Sequence, residues 1–292
     1  METLKTTSAH PPLVSVIIPT YNRAALVGRA IKSALLQTFR DFELIVVDDG
    51  STDSTAELLE QYQASLTALH QPNRGVAAAR NRGIHHSCGR LIAFLDSDDE
   101  WVDSKLERQV AQYCFNDNYF ICHTDEIWLR DGRQIQQKTK HHKQGGRFFE
   151  RALELCLISP SSVMISRRLL DKVGWFDESM PAAEDYDLWL RITAFWEVEY
   201  IDEPLVIKYG GHADQLSRTT PMIDQYRIRA IEKILRNPEL SFEYRNAAIR
   251  ELKRKCGIVA QGSEKHGNRA QAEHYLELAQ SYSHSDTQSN RD

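Results

Sequence analysis

The chain has 292 residues, 41% hydrophobic and 26% charged, with 36 basic and 41 acidic side chains for a net charge of −5. That length fits about two domains, or one α/β domain with attachments, and the composition excludes collagen-like and broadly disordered classes. The acidic balance argues against nucleic acid as a partner, and no apolar run approaches the ~18 residues of a membrane-spanning helix.

The five cysteines are odd in number and lack C-x-x-C spacing, which excludes a disulfide framework or a zinc knuckle. Met1–Pro12 is polar and carries no apolar h-region. Both features lead to the expectation of a cytoplasmic protein, with any membrane contact peripheral and at the inner face.

The first half alternates strand and helix patterns. Leu13–Ile18 reads as a buried strand ending at Pro19. Val27, Ala30, Ile31, Ala34 and Leu35 then fall on one helix face. Phe42–Val47 is a second strand. Ser54 and Glu57 have capping-box spacing and open a helix through Leu58, Leu59 and Tyr62. A weak strand at Leu66–His70 precedes an Ala-rich helix, Val76–His86, closed by Cys88 and Gly89. Leu91–Leu95 is a strand, and Leu106, Val110, Tyr113 and Cys114 mark the next helix. Repeated β-α units predict a parallel, doubly wound sheet with right-handed crossovers.

Beyond Tyr119 the pattern is less regular. Ile127–Ile135 reads as a hairpin around Asp131-Gly132. The basic stretch Lys138–Arg147 reads as a mobile loop. Ser162–Ile165 is a strand, and Arg167–Val173 a helix stopped by Gly174. Tyr186–Phe195 is helical and Leu205–Tyr209 strand-like. Residues 222–282 read as two or three amphipathic helices broken near Asn237-Pro238 and Gly262, and 283–292 as a disordered end.

In doubly wound sheets, ligands bind beyond the carboxyl ends of the strands. Three strands here end in polar clusters: Pro19-Thr-Tyr-Asn-Arg23, Asp48-Asp-Gly-Ser-Thr-Asp53 and Asp96-Ser-Asp-Asp-Glu100. Burying unpaired charge is expensive, so three such clusters define one shared crevice. Asp48 and Asp49 can accept hydrogen bonds from a base or ribose; the plainer alternative is a loop with helix caps. Asp96 and Asp98 put two hard oxygen ligands on one side of an extended segment, suited to Mg²⁺ or Mn²⁺.

Two further motifs complete an ordered set with these clusters: Ala79-Arg-Asn-Arg-Gly83 and Glu184-Asp-Tyr-Asp-Leu-Trp-Leu190. The set closely resembles the family 2 inverting glycosyltransferases over about Val14 to Ser217. The resemblance implies an α/β, GT-A-type, mostly parallel Rossmann-like sheet flanked by helices, with a C-terminal helical appendage. It implies residues 1–110 as the nucleotide-sugar and metal-binding half and 111–220 as the acceptor half with the catalytic base. Residues 221–292 would be the helical extension.

It further implies a nucleotide-sugar donor, most often a uridine diphosphate sugar, and a glycan or lipid-linked acceptor in surface polysaccharide or lipopolysaccharide synthesis. Thr20 and Tyr21 would border the nucleoside, Asp49 face the base, and Asp96 lie near the ribose with Ser97 beside it. Asp98 would hold Mn²⁺ or Mg²⁺. Arg74 or Arg80 would contact the base or pyrophosphate; Arg80 is alternatively a helix residue paired with a nearby carboxylate. Asp185 matches the family's catalytic base, with Glu184 the rival and an alternative acceptor ligand. His212 matches a metal ligand of some relatives, or is a loop residue. Ser217 would touch phosphate through a lid.

Ser159–Ser162 lines the acceptor side or is a turn before a strand. Trp175, Trp189 and Trp196 offer a sugar-stacking face or core packing. From Arg227 to Lys255 there are nine basic and four acidic residues, readable as a solvated face, a homodimer contact or an anionic-membrane contact. Two rival functions remain open. A sugar-phosphate nucleotidyltransferase would need a Gly-rich loop where Pro19–Arg23 stands. A non-catalytic nucleotide-sugar-binding module would not need Asp185.

Overall fold

The computed structural model describes residues 10–113, 119–210 and 223–282. Strands β1 (Val14–Thr20), β2 (Phe42–Asp48), β3 (Thr67–His70) and β4 (Leu91–Phe94) lie in the order β3-β2-β1-β4, every pairing parallel. Both faces of this half are covered, so all seven residues of β1 are buried. Helices α1 (Ala24–Leu35), α2 (Thr55–Glu60) and α4 (Lys105–Tyr113) cover one face, and α3 (Val76–His86) runs on the other. The period of two along β1 sends Val14, Val16 and Ile18 to the first cluster and Ile17 to the second.

The second half adds β5 (Asp99–Trp101), β6 (Ile121–Arg130), β7 (Arg133–Ile135), β8 (Met164–Ser166) and β9 (Glu199–Gly210). Among the described residues, nine strands form one sheet in the order β3-β2-β1-β4-β8-β6-β9-β5, with β7 paired on β6. The β4·β8, β8·β6, β6·β7 and β9·β5 pairings are antiparallel, and β6·β9 is parallel. The parallel character is thus concentrated in the first four strands, and the full sheet is mixed. The predicted hairpin turns at Asp131 (φ 51°) and Gly132 (φ 72°), the paired left-handed residues that match strand twist.

Helices α5 (Phe149–Glu154), α6 (Arg167–Val173), α7 (Glu184–Thr193), α8 (Asp224–Leu235) and α9 (Phe242–Lys265) share one apolar cluster with β1, β4 and α3. Ile231 and Leu252 meet the same core as Phe94 and Trp189, so the C-terminal helices are built into the sheet's second face. Helix α10 (Arg269–Ser281) packs its Tyr275 and Leu278 on the outside.

Three local expectations change. The long helix α9 runs through Gly262 without a break, because tertiary packing outweighs the ~1 kcal/mol propensity cost of one glycine. Ser54 makes no side-chain cap; Asp53 Oδ1 instead accepts from the Thr55 amide at 3.0 Å. The basic stretch 138–147 is anchored, because Lys143 Nζ pairs with Glu126 Oε1 at 2.6 Å with both side chains buried. Opening such a pair leaves a buried charge unmatched. Cys114, His212, Ser217 and the expected disordered end lie outside the described residues.

Candidate active site

The carboxyl ends of β1, β2 and β4 enclose a pocket of about 700 Å³. Thr20, Tyr21, Asp49, Arg80, Asp96, Ser97 and Asp98 all line it, so seven expected site residues from four chain segments converge. Tyr21 leaves its ring 45% exposed at the mouth. Lys208 of β9 also lines it.

The loop after β2 is held by its own polar groups. Asp48 Oδ1 accepts from the Ser51 amide at 3.0 Å. Asn22 Oδ1 accepts from the Thr52 amide at 2.7 Å, and Ser51 Oγ from the Asn22 amide at 2.8 Å. This cross-linking stitches the β1 and β2 loops together. Gly50 has φ 82°, and a Cβ there would sit 2.8 Å from the Asn73 nitrogen; glycine alone fits this turn. Asp49 Oδ1 accepts from Gln71 Nε2 at 2.6 Å and the Arg74 amide at 3.0 Å, while Oδ2 accepts from the Gly75 amide at 2.8 Å. Its first role is therefore to shape the 71–75 wall of the pocket.

Arg80 is buried, and its two terminal nitrogens serve two carboxylates. Nη1 donates to Glu184 Oε1 at 2.6 Å and Nη2 to Asp96 Oδ1 at 2.7 Å. The paired-carboxylate alternative describes these contacts. Burial opposes the guanidinium charge, and Asp96 and Glu184 hold it fully protonated. One side chain thus ties the α7 terminus to the β4 terminus. Arg74 instead reaches Glu178 at 2.7 Å on the exposed rim.

The β4 terminus is crowded with negative charge. Burial and then the Asp96 charge push the Asp98 carboxyl up. Burial lifts Asp99 to about 7 despite the pull of Lys208, whose Nζ lies 3.6 Å from Asp99 Oδ2. Burial disfavours the Lys208 charge, and Asp99 and Glu126 more than restore it. Such crowding favours a bound cation, and the donors are hard oxygens. Among the described residues, no three His, Cys, Asp or Glu side chains gather as a complete metal set.

Asp185 opens α7, where the helix dipole favours a carboxylate. The helix follows Ala183, whose φ of 59° turns the chain sharply into it, with Glu184 first and Asp185 second. Asp185 is half-buried; Oδ1 accepts from the Tyr186 amide at 2.7 Å and Oδ2 from the Cys156 thiol at 3.4 Å. Burial and the Asp185 charge keep that thiol protonated. Glu184 differs: it is buried against Arg80, and burial with the Asp185 charge lifts it to about 7. Asp187 points into the structure, ion-paired with Arg191 at 2.9 Å and Lys233 at 2.7 Å. Trp189 is core, and Trp175 and Trp196 pack against the core edge.

Lys208 and Cys156 escaped the sequence reading as site residues, and Ser161, read within Ser159–Ser162 as acceptor lining or a turn, instead bonds at the β4 terminus. Ser161 Oγ donates to Asp99 Oδ2 at 2.5 Å and accepts from the Asp96 amide at 3.1 Å. The strand-like pattern of Leu205–Tyr209 carried no signal of which way Lys208 faces.

The model for "Glycosyl transferase family 2" matches residues 15–174. The chain belongs to this family. Among curated family relatives, an uncharacterized glycosyltransferase of Rickettsia felis is 34% identical over 67% of this chain and 33% of its own length. The UDP-Glc:alpha-D-GlcNAc-diphosphoundecaprenol beta-1,3-glucosyltransferase WfgD of Escherichia coli is 35% identical over 62% of this chain and 69% of its own. The chain therefore spans about a third of some relatives and over two thirds of others. The GT-A fold is shared with solved glycosyltransferases. TarS 1-349 of S. aureus in complex with UDP-GlcNAc has a TM-score of 0.65 at 17% identity, covering 92% of this chain and 91% of that one. Mannosyltransferase PcManGT of Pyrobaculum calidifontis, in complex with GDP-Man and Mn²⁺, has 0.61 at 17% identity, covering 94% and 85%.

Proposed function

We propose that this family 2 glycosyltransferase is an inverting, divalent-metal-assisted enzyme that moves a sugar from a uridine diphosphate donor to a glycan or lipid-linked hydroxyl. The observation that carries this reading is the Arg80 bridge, which sets the carboxylate pair of α7 directly beside the acidic terminus of β4. Thr20, Tyr21 and Asp49 border the nucleoside, and Asp96 and Ser97 the ribose and diphosphate. Asp98, with Asp96 beside it, would hold Mn²⁺ or Mg²⁺, which would supply positive charge to offset that of the leaving diphosphate. WfgD, a relative with a UDP-Glc donor and a lipid-linked acceptor by its name, supports the substrate class.

Inversion needs one displacement at the anomeric carbon. The acceptor oxygen bonds to that carbon as the bond to the diphosphate breaks. Asp185 takes the acceptor hydroxyl's proton, and no protein nucleophile is required. Glu184 is a poor base while Arg80 occupies it, so it positions Asp185 through charge and packing. Lys208 offers a second fixed positive charge facing the donor.

The test is a thermal-shift series with UDP, UDP-sugars and GDP, with and without Mn²⁺, followed by the anomeric configuration of the product by NMR. UDP compounds should stabilise most and only fully with Mn²⁺, and an α-linked donor should give a β-linked product. Retained configuration, or equal shifts for every nucleotide, would sink the proposal.

A further inference from the structure

Many of the charged side chains near the core are matched, but those of one projection are not. The β6–β7 hairpin and the segment after it carry Arg130, Arg133, Lys138 and Lys140 against a single acidic residue, Asp131, within residues 127–142. All four cations are exposed. Among the described residues none of the four forms an ion pair, whereas Arg108, Arg147 and Lys143 nearby all do. Arg130 and Arg133 stand directly opposite each other in the hairpin register. Like charges across a strand pair destabilise it, so this arrangement is costly in a chain of net charge −5 unless an anion covers it.

The same face is apolar one step inward. Trp128 pairs in register with Ile135, and these side chains are 38% and 36% exposed. A tryptophan beside cations is suited to a membrane-water interface, where its ring takes the headgroup level. Trp128 is also the β6 partner of Lys208, whose Nζ lies 5.7 Å from the indole ring. Lys208 also lines the donor pocket, so the hairpin's Trp128 and the pocket share this one lysine.

We infer that the β6–β7 hairpin is a docking surface for an anionic lipid bilayer, with Arg130, Arg133, Lys138 and Lys140 on the headgroup phosphates and Trp128 and Ile135 at the interface. The basic helical stretch 227–255 is a weaker candidate. Six of its nine cations are engaged: Arg227, Lys233, Arg254 and Lys255 pair with carboxylates, and Arg229 and Arg245 donate to oxygens of the chain itself, leaving Arg236, Arg250 and Lys253 without an ion pair among the described residues. Hairpin docking would present the cleft to a lipid-linked acceptor, a consequence that rests on the proposed function; the docking itself does not.

Vesicle flotation tests it with the full chain. Phosphatidylcholine vesicles containing phosphatidylglycerol should carry the protein, and pure phosphatidylcholine vesicles should not. The double substitution R130Q/R133Q should lower partitioning about thirtyfold, at roughly fivefold per surface cation, and K138Q/K140Q by a similar factor. Ile135→Ser should weaken it further at high salt, where the charge term is screened. An unchanged UDP–Mn²⁺ thermal shift would verify that each variant is folded with its donor site intact. If wild type shows no such shift, the donor reading fails while the flotation result still stands. No flotation of wild type on anionic vesicles, or undiminished flotation of both double variants, would overturn the inference. Retention on soluble polygalacturonate without flotation would overturn it too, in favour of an acidic glycan partner.

Discussion

Asp185 and Glu184 are adjacent carboxylates in opposite surroundings. Glu184 is buried and bound to Arg80 at 2.6 Å, while Asp185 is half-buried and touches a neutral thiol and one amide. A base must reach the substrate and give up its solvation cheaply, which favours Asp185. Asp185→Asn should lower kcat by about 10²–10⁴-fold while leaving the UDP-induced thermal shift intact; full turnover in that variant would refute the assignment. Glu184→Gln should instead lower the thermal midpoint, because it strips one counter-charge from buried Arg80. At this scale the sequence revealed the acidic motif, but not which member is free. Arg80 shows the same limit. Its motif was visible, yet its two carboxylate partners are 16 and 104 residues away.

At the scale of elements, α3 must lie close on β1 for Arg80 to reach both carboxylates. Gly83 permits that approach: a Cβ there would stand 2.4 Å from Ile17 Cγ2, a rigid branch methyl in the core. Gly83→Ala should therefore destabilise by about 1–2 kcal/mol, since overpacking of ~1–3 kcal/mol exceeds the helix-propensity gain of up to ~1 kcal/mol. Urea unfolding measures this, and a stabilised variant would mean that α3 sits further from the sheet. Helix α7 is fixed from behind in a comparable way. Lys233 of α8 bridges Asp187 at 2.7 Å and Asp177 at 2.6 Å, so the C-terminal layer steadies the helix that carries Asp185. The strands and most helices were legible because both faces of a covered parallel sheet impose long apolar runs. The β8–β6–β9 pairing was not legible, because β8 is only three residues long and the β6–β9 register shifts at Thr124–Glu126, so no continuous period marks the partners.

Across the whole molecule, buried ionisable groups set the pH response. His123 is buried between Phe148 and Tyr200, with Nε2 2.9 Å from the Gln144 carbonyl. Burial, then the Lys143 charge, push it down to about 3. Between pH 6.5 and 3 the unfolded chain binds a proton here that the folded chain does not, so stability falls as pH falls. The slope is bounded at about 1.4 kcal/mol per pH unit. Asp99 and Glu184, both lifted to about 7, act in the opposite direction between about 4 and 7, which would mask His123 in a single profile. The comparison must be with His123→Gln, which keeps an amide donor for the same carbonyl. Wild type should lose stability relative to that variant between pH 6 and 4 in urea midpoints, and parallel curves would contradict a buried neutral imidazole.

Local order determined the strand ends and what stands at each of them. Apolar runs made β1, β2 and β4, and polar clusters directly after them marked the pocket before any strand was paired. The family follows from that order, since its motifs are short segments with fixed chemistry. Tertiary structure decided which of those groups remain free to act. Asp49 is occupied by a loop 22–26 residues on, Arg80 by two carboxylates, and most cations of the helical stretch 227–255 by internal partners. Lys208 entered the pocket only through β9 pairing with β5 and β6, and the hairpin cations stood out only when their neighbours proved matched. The physical reason is one of range. Backbone periodicity and turn chemistry act over a few residues, whereas charge pairing and burial depend on partners up to about a hundred residues away.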